Sequence, residues 1–340
     1  MNGSTRVGSL VGYTEDGYTS ITNCYSTATV TGYDYVGGLV GYNSRGNITN
    51  SYATGTVTGT RDDVGGLVGI NFYSTLTDCH ATGSVTGGRH EVGGLVGGAL
   101  NDTIIIRSYA TGNVRGDGNR IGGLTGRNTG SISESYATGN VTGSRAVYGN
   151  GEAIGGLVGE NACASITNSY ATGNVLDARL WAGGLVGSSY GLSGYPPATI
   201  TNSYATGNVN VENVGGGLAG QKSTCTITNS FSTGIAAGSP RTWVYGGLIG
   251  QCDGIGLPNT WWYNTTNTSD SEDGPYADLS GAGTEKAASE DAFKSPAHLV
   301  YTVAPVWNFT TVWEPPSSGG LPHLKCTAGK TWNSTTGVCA

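Results

Sequence analysis

Carboxylates next to a recurring Val-Gly-Gly phrase are the residues of this chain whose spacing could do chemistry. The row comprises Asp34, Asp62, Asp63, Glu91, Glu152 and Glu212. If these side chains stacked, they could supply the acid and base of polysaccharide cleavage, which needs two carboxylates at a defined separation, or a weak calcium site. His90, Arg120 and Leu180 interrupt the row. Solvated turn residues are therefore favoured, and no catalytic, cofactor-binding or metal-ligating residue is predicted.

Tryptophans and threonines form two candidate ligand surfaces. Trp243, Trp261 and Trp262 could be a platform on which a sugar stacks, or could close one end of the fold. The threonine row is Thr54, Thr82, Thr111, Thr138 and Thr172, and a second row follows four residues on. Alternation along one continuous strand would place both rows on the same side, as in ice-binding solenoids. Threonine also suits strands for packing reasons alone, and that interpretation is favoured.

The histidines and cysteines give no metal-binding spacing. His80, His90, His298 and His323 are far apart, and the seven cysteines lack a zinc pattern. Cys225 and Cys252 fall in consecutive repeats and could meet. Cys326 and Cys339 could close a short loop, and we predict a disulfide between them. Disulfides would indicate an oxidising compartment.

Composition excludes two classes of partner. The 340 residues include 60 glycines, only 11% are charged, and the net charge is −7 with no basic stripe, so a nucleic-acid partner is not expected. No stretch approaches the roughly 20 apolar residues of a membrane helix, so no direct membrane span is predicted. Met1 runs directly into a repeat without a signal peptide, which indicates a fragment of a longer protein.

A repeat of 28 to 33 residues must position those of these side chains that lie within residues 1–250. Its anchor phrase VGGLVG and variants recur around nine leucines: Leu10, Leu39, Leu67, Leu95, Leu124, Leu157, Leu185, Leu218 and Leu248. Each unit reads as three short extended pieces, VGGLVG, ITNSYAT and NVTG, separated by turn residues. Such short strands must stack on copies of themselves. The prediction is an all-β fold, a β-solenoid of about nine stacked coils with a roughly triangular cross-section.

Stacking places equivalent residues in columns along the solenoid. The leucines, and the valines and isoleucines of each unit, are predicted to be interior. Aromatic residues at one position predict a continuous stack of rings: Tyr25, Tyr52, His80, Tyr109, Tyr136, Tyr170, Tyr204 and Phe231. The asparagines two residues earlier predict an amide ladder at a corner: Asn23, Asn50, Asn168, Asn202 and Asn229.

The phrase VGGLVGYN…ITNSYATGTVTG resembles the GLUG-motif repeats of bacterial and archaeal surface proteins, over residues 1–250. Residues 260–324, with NTWWYNTT and VWNFTTVWEPPSSGGLPHL, are similar to the segment that commonly follows such arrays, although Asn308 and Leu321 depart from its Asp and Tyr. The resemblance implies secreted or surface-anchored, adhesin-like, multidomain proteins and no catalytic residues. The expected domains are the GLUG-repeat solenoid over 1–250, a cap or transition segment over 251–325, and a small disulfide-closed tail or the start of a further module over 326–340.

The hypothesis favoured by these patterns is a non-enzymatic rigid segment of an extracellular or cell-surface protein that presents a binding surface. Its expected partners are a glycan, another surface protein or further copies joined end to end. A carbohydrate-binding or carbohydrate-cleaving β-helix is one alternative, and an ice-binding solenoid is the other.

Overall fold

The chain folds as a β-solenoid in the computed structural model. The structure describes residues 5–15, 19–144, 152–238, 245–253, 257–262, 284–286, 307–308, 310, 312–314, 321–325, 332–333 and 338–339. Every regular element in those ranges is a β-strand. Consequently no described segment is a helix long and apolar enough to cross a membrane.

Each of the first eight coils contributes a strand to each of five parallel sheets, so the predicted solenoid is confirmed. Sheet 1 contains Thr5–Gly8, Asp34–Gly37, Val64–Gly65, Val92–Gly93, Ile121–Gly122, Ala153–Gly155, Trp181–Gly183, Val214–Gly216 and Tyr245–Gly246. Sheet 2 contains Val11–Thr14, Val40–Ser44, Val68–Phe72, Val96–Leu100, Thr125–Asn128, Val158–Ala162, Val186–Tyr190, Ala219–Ser223 and Ile249–Asp253. These two sheets define nine coils within the described ranges.

The remaining three sheets complete the coil. Sheet 3 contains Ser20–Thr22, Asn47–Thr49, Thr75–Thr77, Ile104–Ile106, Ser131–Ser133, Ser165–Thr167, Ala198–Thr201 and Cys225–Thr228. Sheet 4 contains Tyr25–Ser26, Tyr52–Ala53, His80–Ala81, Tyr109–Ala110, Tyr136–Ala137, Tyr170–Ala171, Tyr204–Ala205, Phe231–Ser232, Thr260–Trp262 and Thr284–Lys286. Sheet 5 contains Val30–Gly32, Val57–Gly59, Val85–Gly87, Val114–Gly116, Val141–Thr142, Val175–Ala178, Val209–Val211 and Ala236–Ala237.

The expectation of three strands per coil was wrong, because two of the predicted pieces bend in the middle. VGGLVG bends at its second glycine and leucine, where the N–H groups of Leu39 and Val40 both donate to the carbonyl of Leu67 in the next coil. ITNSYAT bends at its asparagine. Asn50 has φ of 47°, a left-handed conformation that asparagine tolerates better than most side chains. Five strands per coil result.

The interior columns lie where the repeat predicts them, except at Leu10 of the first coil, which is 53% exposed. The leucines Leu39, Leu67, Leu95, Leu124, Leu157, Leu185 and Leu218 are fully buried. They pack with one column from sheet 3, made of Ile48, Leu76, Ile105, Ile132, Ile166, Ile200 and Ile227. A second apolar cluster is formed by the valines of sheets 5 and 1, including Val57 and Val64. Burial of these aliphatic columns is the main driving force for stacking.

Polar columns inside the solenoid join one coil to the next. A buried serine column comprises Ser51, Ser108, Ser135, Ser169, Ser203 and Ser230. Each of these hydroxyls donates to the carbonyl two residues earlier in its own coil and accepts from an N–H of the preceding coil. The fully buried amides of Asn43 and Asn71 likewise bond at 2.7 Å, and those of Asn128 and Asn161 at 2.8 Å. Because a buried polar group is costly when unpaired, these columns hold the coils in register.

Short elements follow the solenoid. Trp313–Glu314 and His323–Leu324 form an antiparallel pair, as do Trp332–Asn333 and Val338–Cys339. The first pair packs against sheet 4 through an apolar cluster that includes Trp307, Trp313 and Leu324.

Candidate functional site

An aromatic ladder runs along the outer face of sheet 4. Its eight rings are those of the predicted column, and successive centroids lie 4.7 to 5.3 Å apart with interplanar angles of 2 to 13°. Phe231 is followed in register by Trp261 of the next coil. The prediction of a continuous ring stack is confirmed.

The ladder presents ring edges to its surroundings rather than ring faces. The centroid spacing matches the separation of neighbouring strands, so each face packs on the ring of the adjacent coil. Aromatic edges carry partial positive charge and pair favourably with the face of another aromatic ring. The surface therefore suits an indole or phenyl face better than a sugar ring, which stacks on faces.

The predicted amide ladder runs along one side of the aromatic ladder. Asn50 Nδ2 donates to Asn23 Oδ1 at 2.5 Å, and Asn202 Nδ2 donates to Asn168 Oδ1 at 3.2 Å. Asn229 continues the chain toward Asn259. Asp78, Arg107 and Glu134 take these positions in the middle coils, where Arg107 Nε lies 2.8 Å from Asp78 Oδ1. The side chains of this polar column are thus amides in the coils at both ends and charged groups in the middle coils.

The C-terminal strand pair covers one end of the aromatic ladder. The ring of Trp313 lies 6.2 and 6.0 Å from those of Tyr170 and Tyr204, and its Nε1 donates to Asn168 Oδ1 at 3.3 Å. The ring of Trp307 lies against Tyr204 and Phe231. The hydroxyl of Tyr204 donates to the carbonyl of Pro322 at 2.7 Å.

The strand pair and Trp307, here called the C-terminal cover, divide the aromatic ladder into a covered half and an accessible half. Tyr136, Tyr170, Tyr204 and Phe231 are 0 to 4% exposed, whereas Tyr25 is 64% exposed. Tyr52, His80 and Tyr109 are half-buried. Burial raises the pKa of Tyr170 and of Tyr204. The half that extends from Tyr25 to Tyr109 is the more accessible one.

The threonines of the candidate surface lie at the bend between sheets 4 and 5. Thr54, Thr82 and Thr172 are exposed, and Thr111 and Thr138 are half-buried. The second row, which includes Thr58 and Thr86, lies in sheet 5. The expectation of one continuous strand was wrong, because the chain turns between Ala53 and Val57. The two rows therefore belong to different sheets.

The predicted tryptophans are placed differently from one another. Trp261 is 9% exposed and its Nε1 donates to Asn259 Oδ1 at 3.0 Å, so it extends the aromatic ladder. The side chain of Trp262, all of Trp243 and Cys326 lie outside the described residues. The Cys326–Cys339 disulfide therefore remains a prediction. Cys24, Cys79, Cys163 and Cys225 are free thiols.

A cluster of charged side chains, here called the ionic corner, forms beside sheets 1 and 2. It comprises Asp63, Glu91, Arg120, Arg127 and Glu160. Arg120 Nε and Arg127 Nε lie 2.9 and 3.0 Å from the two oxygens of Glu160, and Arg120 and Arg127 also reach Glu91 at 3.4 and 3.7 Å. Of the predicted carboxylate row, Glu91 is thus paired with two arginines and Asp63 is buried beside it. The expectation of solvated turn residues is therefore wrong for these two.

Burial is the largest cause of a pKa of Asp63 raised to about 10. The negative charges of Glu91, Asp62 and Asp34 and a hydrogen bond to Glu91 act in the same direction. In another coil, burial raises the pKa of Glu152 to about 7 beside Arg179. Within the described ranges no three His, Cys, Asp or Glu side chains converge in a way that could hold a metal.

Asp63→Asn is expected to stabilise the solenoid at pH 8 by about 1 to 3 kcal/mol. The raised pKa means that the folded state keeps a proton that the unfolded state loses above its ordinary pKa of about 4. Wild-type stability is therefore fully present below pH 4 and falls as the pH rises toward 10. Asparagine keeps a donor to Glu91 without titrating. Urea unfolding between pH 5 and 9 measures this difference.

The exposed Asp102 supplies the matched control for that measurement. Asp102→Asn is expected to follow the wild-type pH profile, because no buried carboxyl lies at this position. Parallel profiles for Asp63→Asn and the wild type would contradict the raised pKa of Asp63.

Sequence reasoning missed Arg120, Arg127 and Glu160 as a group. Arg120 was seen only as an interruption of the acidic row, yet it neutralises that row. Arg127 and Glu160 pair in register in adjacent strands of sheet 2. Opposite charges one repeat apart were the available signal.

Comparisons with known proteins agree with the geometry. The GLUG motif family matches residues 3–31, 32–58, 63–86, 88–115, 117–142, 150–176 and 182–210. A search of the curated proteins finds no match. Among solved structures, a "putative immunoglobulin A1 protease" from Bacteroides ovatus is 16% identical, with 91% of this chain and 76% of that chain covered at a TM-score of 0.39, too weak a likeness to support an argument. The family matches span more than half of the sequence, and the chain therefore belongs to the GLUG motif family.

Proposed function

We propose that this chain is a non-enzymatic structural and adhesive segment of a secreted or cell-surface protein, a rigid solenoid that presents a binding surface. The observation that carries the proposal is the parallel register of the strands. From the coil of Thr5 to the coil of Asp253, it pairs each residue with its equivalent in the next coil. Nine coils at the strand spacing extend about 40 Å. A rigid array of this length can hold the segments on either side of it apart and can present a binding surface along its length.

The ionic corner supports a structural role over polysaccharide cleavage. A general acid and base must stand on either side of a substrate bond. Asp63 and Glu91 instead bond to each other, and Glu91 and Glu160 are neutralised by arginines. This network stabilises coil stacking.

The two alternative binding functions have weaker support. A sugar platform needs exposed ring faces, and Trp261 is buried within the aromatic ladder. Ice binding through both threonine rows needs one flat strand surface, and these rows lie in separate sheets. A glycan or another surface protein remains the proposed class of partner.

Association of copies end to end is a further part of the proposal. Leu10 in the first described coil is 53% exposed, whereas its equivalents Leu39 and Leu67 are fully buried. Strand edges at the end of a parallel sheet can pair with a strand of another copy. Sedimentation at increasing concentration tests this, and a monomer at all concentrations would contradict it.

Deletion of residues 64–91, one complete coil, tests the structural role. We expect a folded protein that is shorter by about 4.8 Å, because the flanking coils can stack on each other. Circular dichroism and small-angle scattering measure both properties. A matched control deletes residues 64–77, which leaves half a coil and should unfold the array. Polysaccharide cleavage that the coil deletion abolished would contradict a non-enzymatic role.

A further inference from the structure

The aromatic ladder contains two equivalent sites for tryptophan. Trp313 contacts Tyr170 and Tyr204 and donates to Asn168. Five coils toward the N terminus, Tyr25, Tyr52 and Asn23 stand in the same relation to one another, because both sets are consecutive members of the same two columns.

The hydrogen-bonding groups of the two sites also correspond. At the occupied site, Asn168 Oδ1 accepts from Asn202 Nδ2 and from the indole of Trp313. At the N-terminal site, Asn23 Oδ1 accepts from Asn50 Nδ2. Asn23 is exposed, so a second donor can approach this oxygen.

The ring stack itself is continuous between the sites. Tyr25 and Tyr52 are stacked with centroids 5.3 Å apart, and Tyr170 and Tyr204 with centroids 5.0 Å apart. Both pairs present edges, which suit the face of an indole. They differ in cover: Tyr25 is 64% exposed and Tyr170 is 2% exposed.

We propose that the ladder surface formed by Asn23, Tyr25 and Tyr52 docks a tryptophan-bearing extended segment of a partner protein, in the way that Trp307 and Trp313 dock on the other half. This inference rests on the proposed function and names the binding surface and the chemistry of its partner. The chain's own Trp307 and Trp313 are already seated on Tyr170, Tyr204 and Phe231, so the occupant comes from another protein.

A second tryptophan of the partner has an equivalent place as well. Trp307 rests on Tyr204 and Phe231 and donates to the backbone carbonyl of Asn229 at 3.1 Å. The corresponding positions toward the N terminus are Tyr52, His80 and the carbonyl of Asp78. Two indoles separated as in Trp307 and Trp313 would therefore fit the accessible half together.

The test uses a fluorescent synthetic peptide with the sequence of residues 305–325, titrated with the whole chain. We expect saturable binding, and Tyr25→Ala is expected to weaken it at least about tenfold. Tyr195→Ala is the matched control, because Tyr195 is 67% exposed in a loop away from sheet 4, and it should leave binding unchanged. A peptide carrying Trp307→Ala and Trp313→Ala should not bind.

Several results would overturn the docking proposal. These are absence of binding at peptide concentrations up to about 1 mM, equal binding to Tyr25→Ala and wild type, or displacement of the peptide by free glycans. Dimerisation that Tyr25→Ala abolishes would assign the surface to a second copy instead. Small-angle scattering from the same samples shows whether the solenoid is intact. If it is intact and the peptide does not bind, only the docking proposal is contradicted. The deletion of residues 64–91 tests the proposed function independently.

Discussion

Gly94→Ala is expected to lower the free energy of unfolding by about 4 kcal/mol or more, at or beyond the upper end of overpacking effects. A Cβ at this position would overlap the carbonyl oxygen of Gly123 in the next coil and lie 2.9 Å from the Cβ of Ala110. Both obstacles are parts of the backbone scaffold, so no side chain can turn away. The coils must separate, and the strand pairing on both sides is weakened. Urea unfolding followed by circular dichroism measures the loss.

Gly98→Ala in the same coil is the matched control. Its Cβ would lie 2.9 Å from Glu91 Oε2 and 3.0 Å from Asp63 Oδ1, which are the ends of flexible side chains and can shift. We expect a loss of less than about 1.5 kcal/mol, in the lower half of the usual range for single substitutions. Equal losses for the two alanines would contradict the argument that close coil approach requires Gly94.

Trp313→Ala is expected to release the C-terminal cover from the aromatic ladder, at a cost of about 3 to 5 kcal/mol for the loss of a buried indole. Trp313 is fully buried and contacts Tyr170, Tyr204 and Trp307. Residues 307–325 should then be cleaved early in limited proteolysis. The pKa of Tyr204, which burial raises, should fall toward its ordinary value near 10, as measured by phenolate absorbance.

Trp181→Ala supplies the comparison for that experiment. Trp181 is half-buried in sheet 1, away from the aromatic ladder, so its removal should leave both the cleavage pattern and the titration of Tyr204 unchanged. Persistent protection of residues 307–325 in Trp313→Ala would contradict the proposed role of this indole.

Periodicity made the columns predictable, because each stacked residue must match its copies in the neighbouring coils. Leu95 is interior and Tyr136 lies in the ring stack for that reason. The bends were not predictable from alternation: Asn50 turns the chain through a left-handed conformation, and the same letters could belong to one longer strand. Thr54 and Thr58 consequently appeared to share a surface that they do not share.

Contacts between residues that are not related by the repeat could not be predicted from the sequence. Trp313 and Tyr170 are 143 positions apart, and nothing in the repeat shows where the last segment returns. Arg120 immediately precedes the sheet 1 strand of its coil, and Glu160 lies in the sheet 2 strand of the next coil. Their contact therefore depends on how the coil bends between the two sheets. The raised pKa of Asp63 depends mainly on burial, which composition does not reveal.

The C-terminal cover also affects how the array comes apart. Coils in a solenoid interact only with their immediate neighbours, so the N-terminal coils can fray one at a time. Trp307 and Trp313 together span three consecutive coils through Tyr170, Tyr204 and Phe231. Those three coils are therefore clamped into one cooperative unit that must open together. Hydrogen exchange in this part of the chain is expected to follow a single opening event, whereas exchange from Thr5 onward should be graded along the solenoid axis.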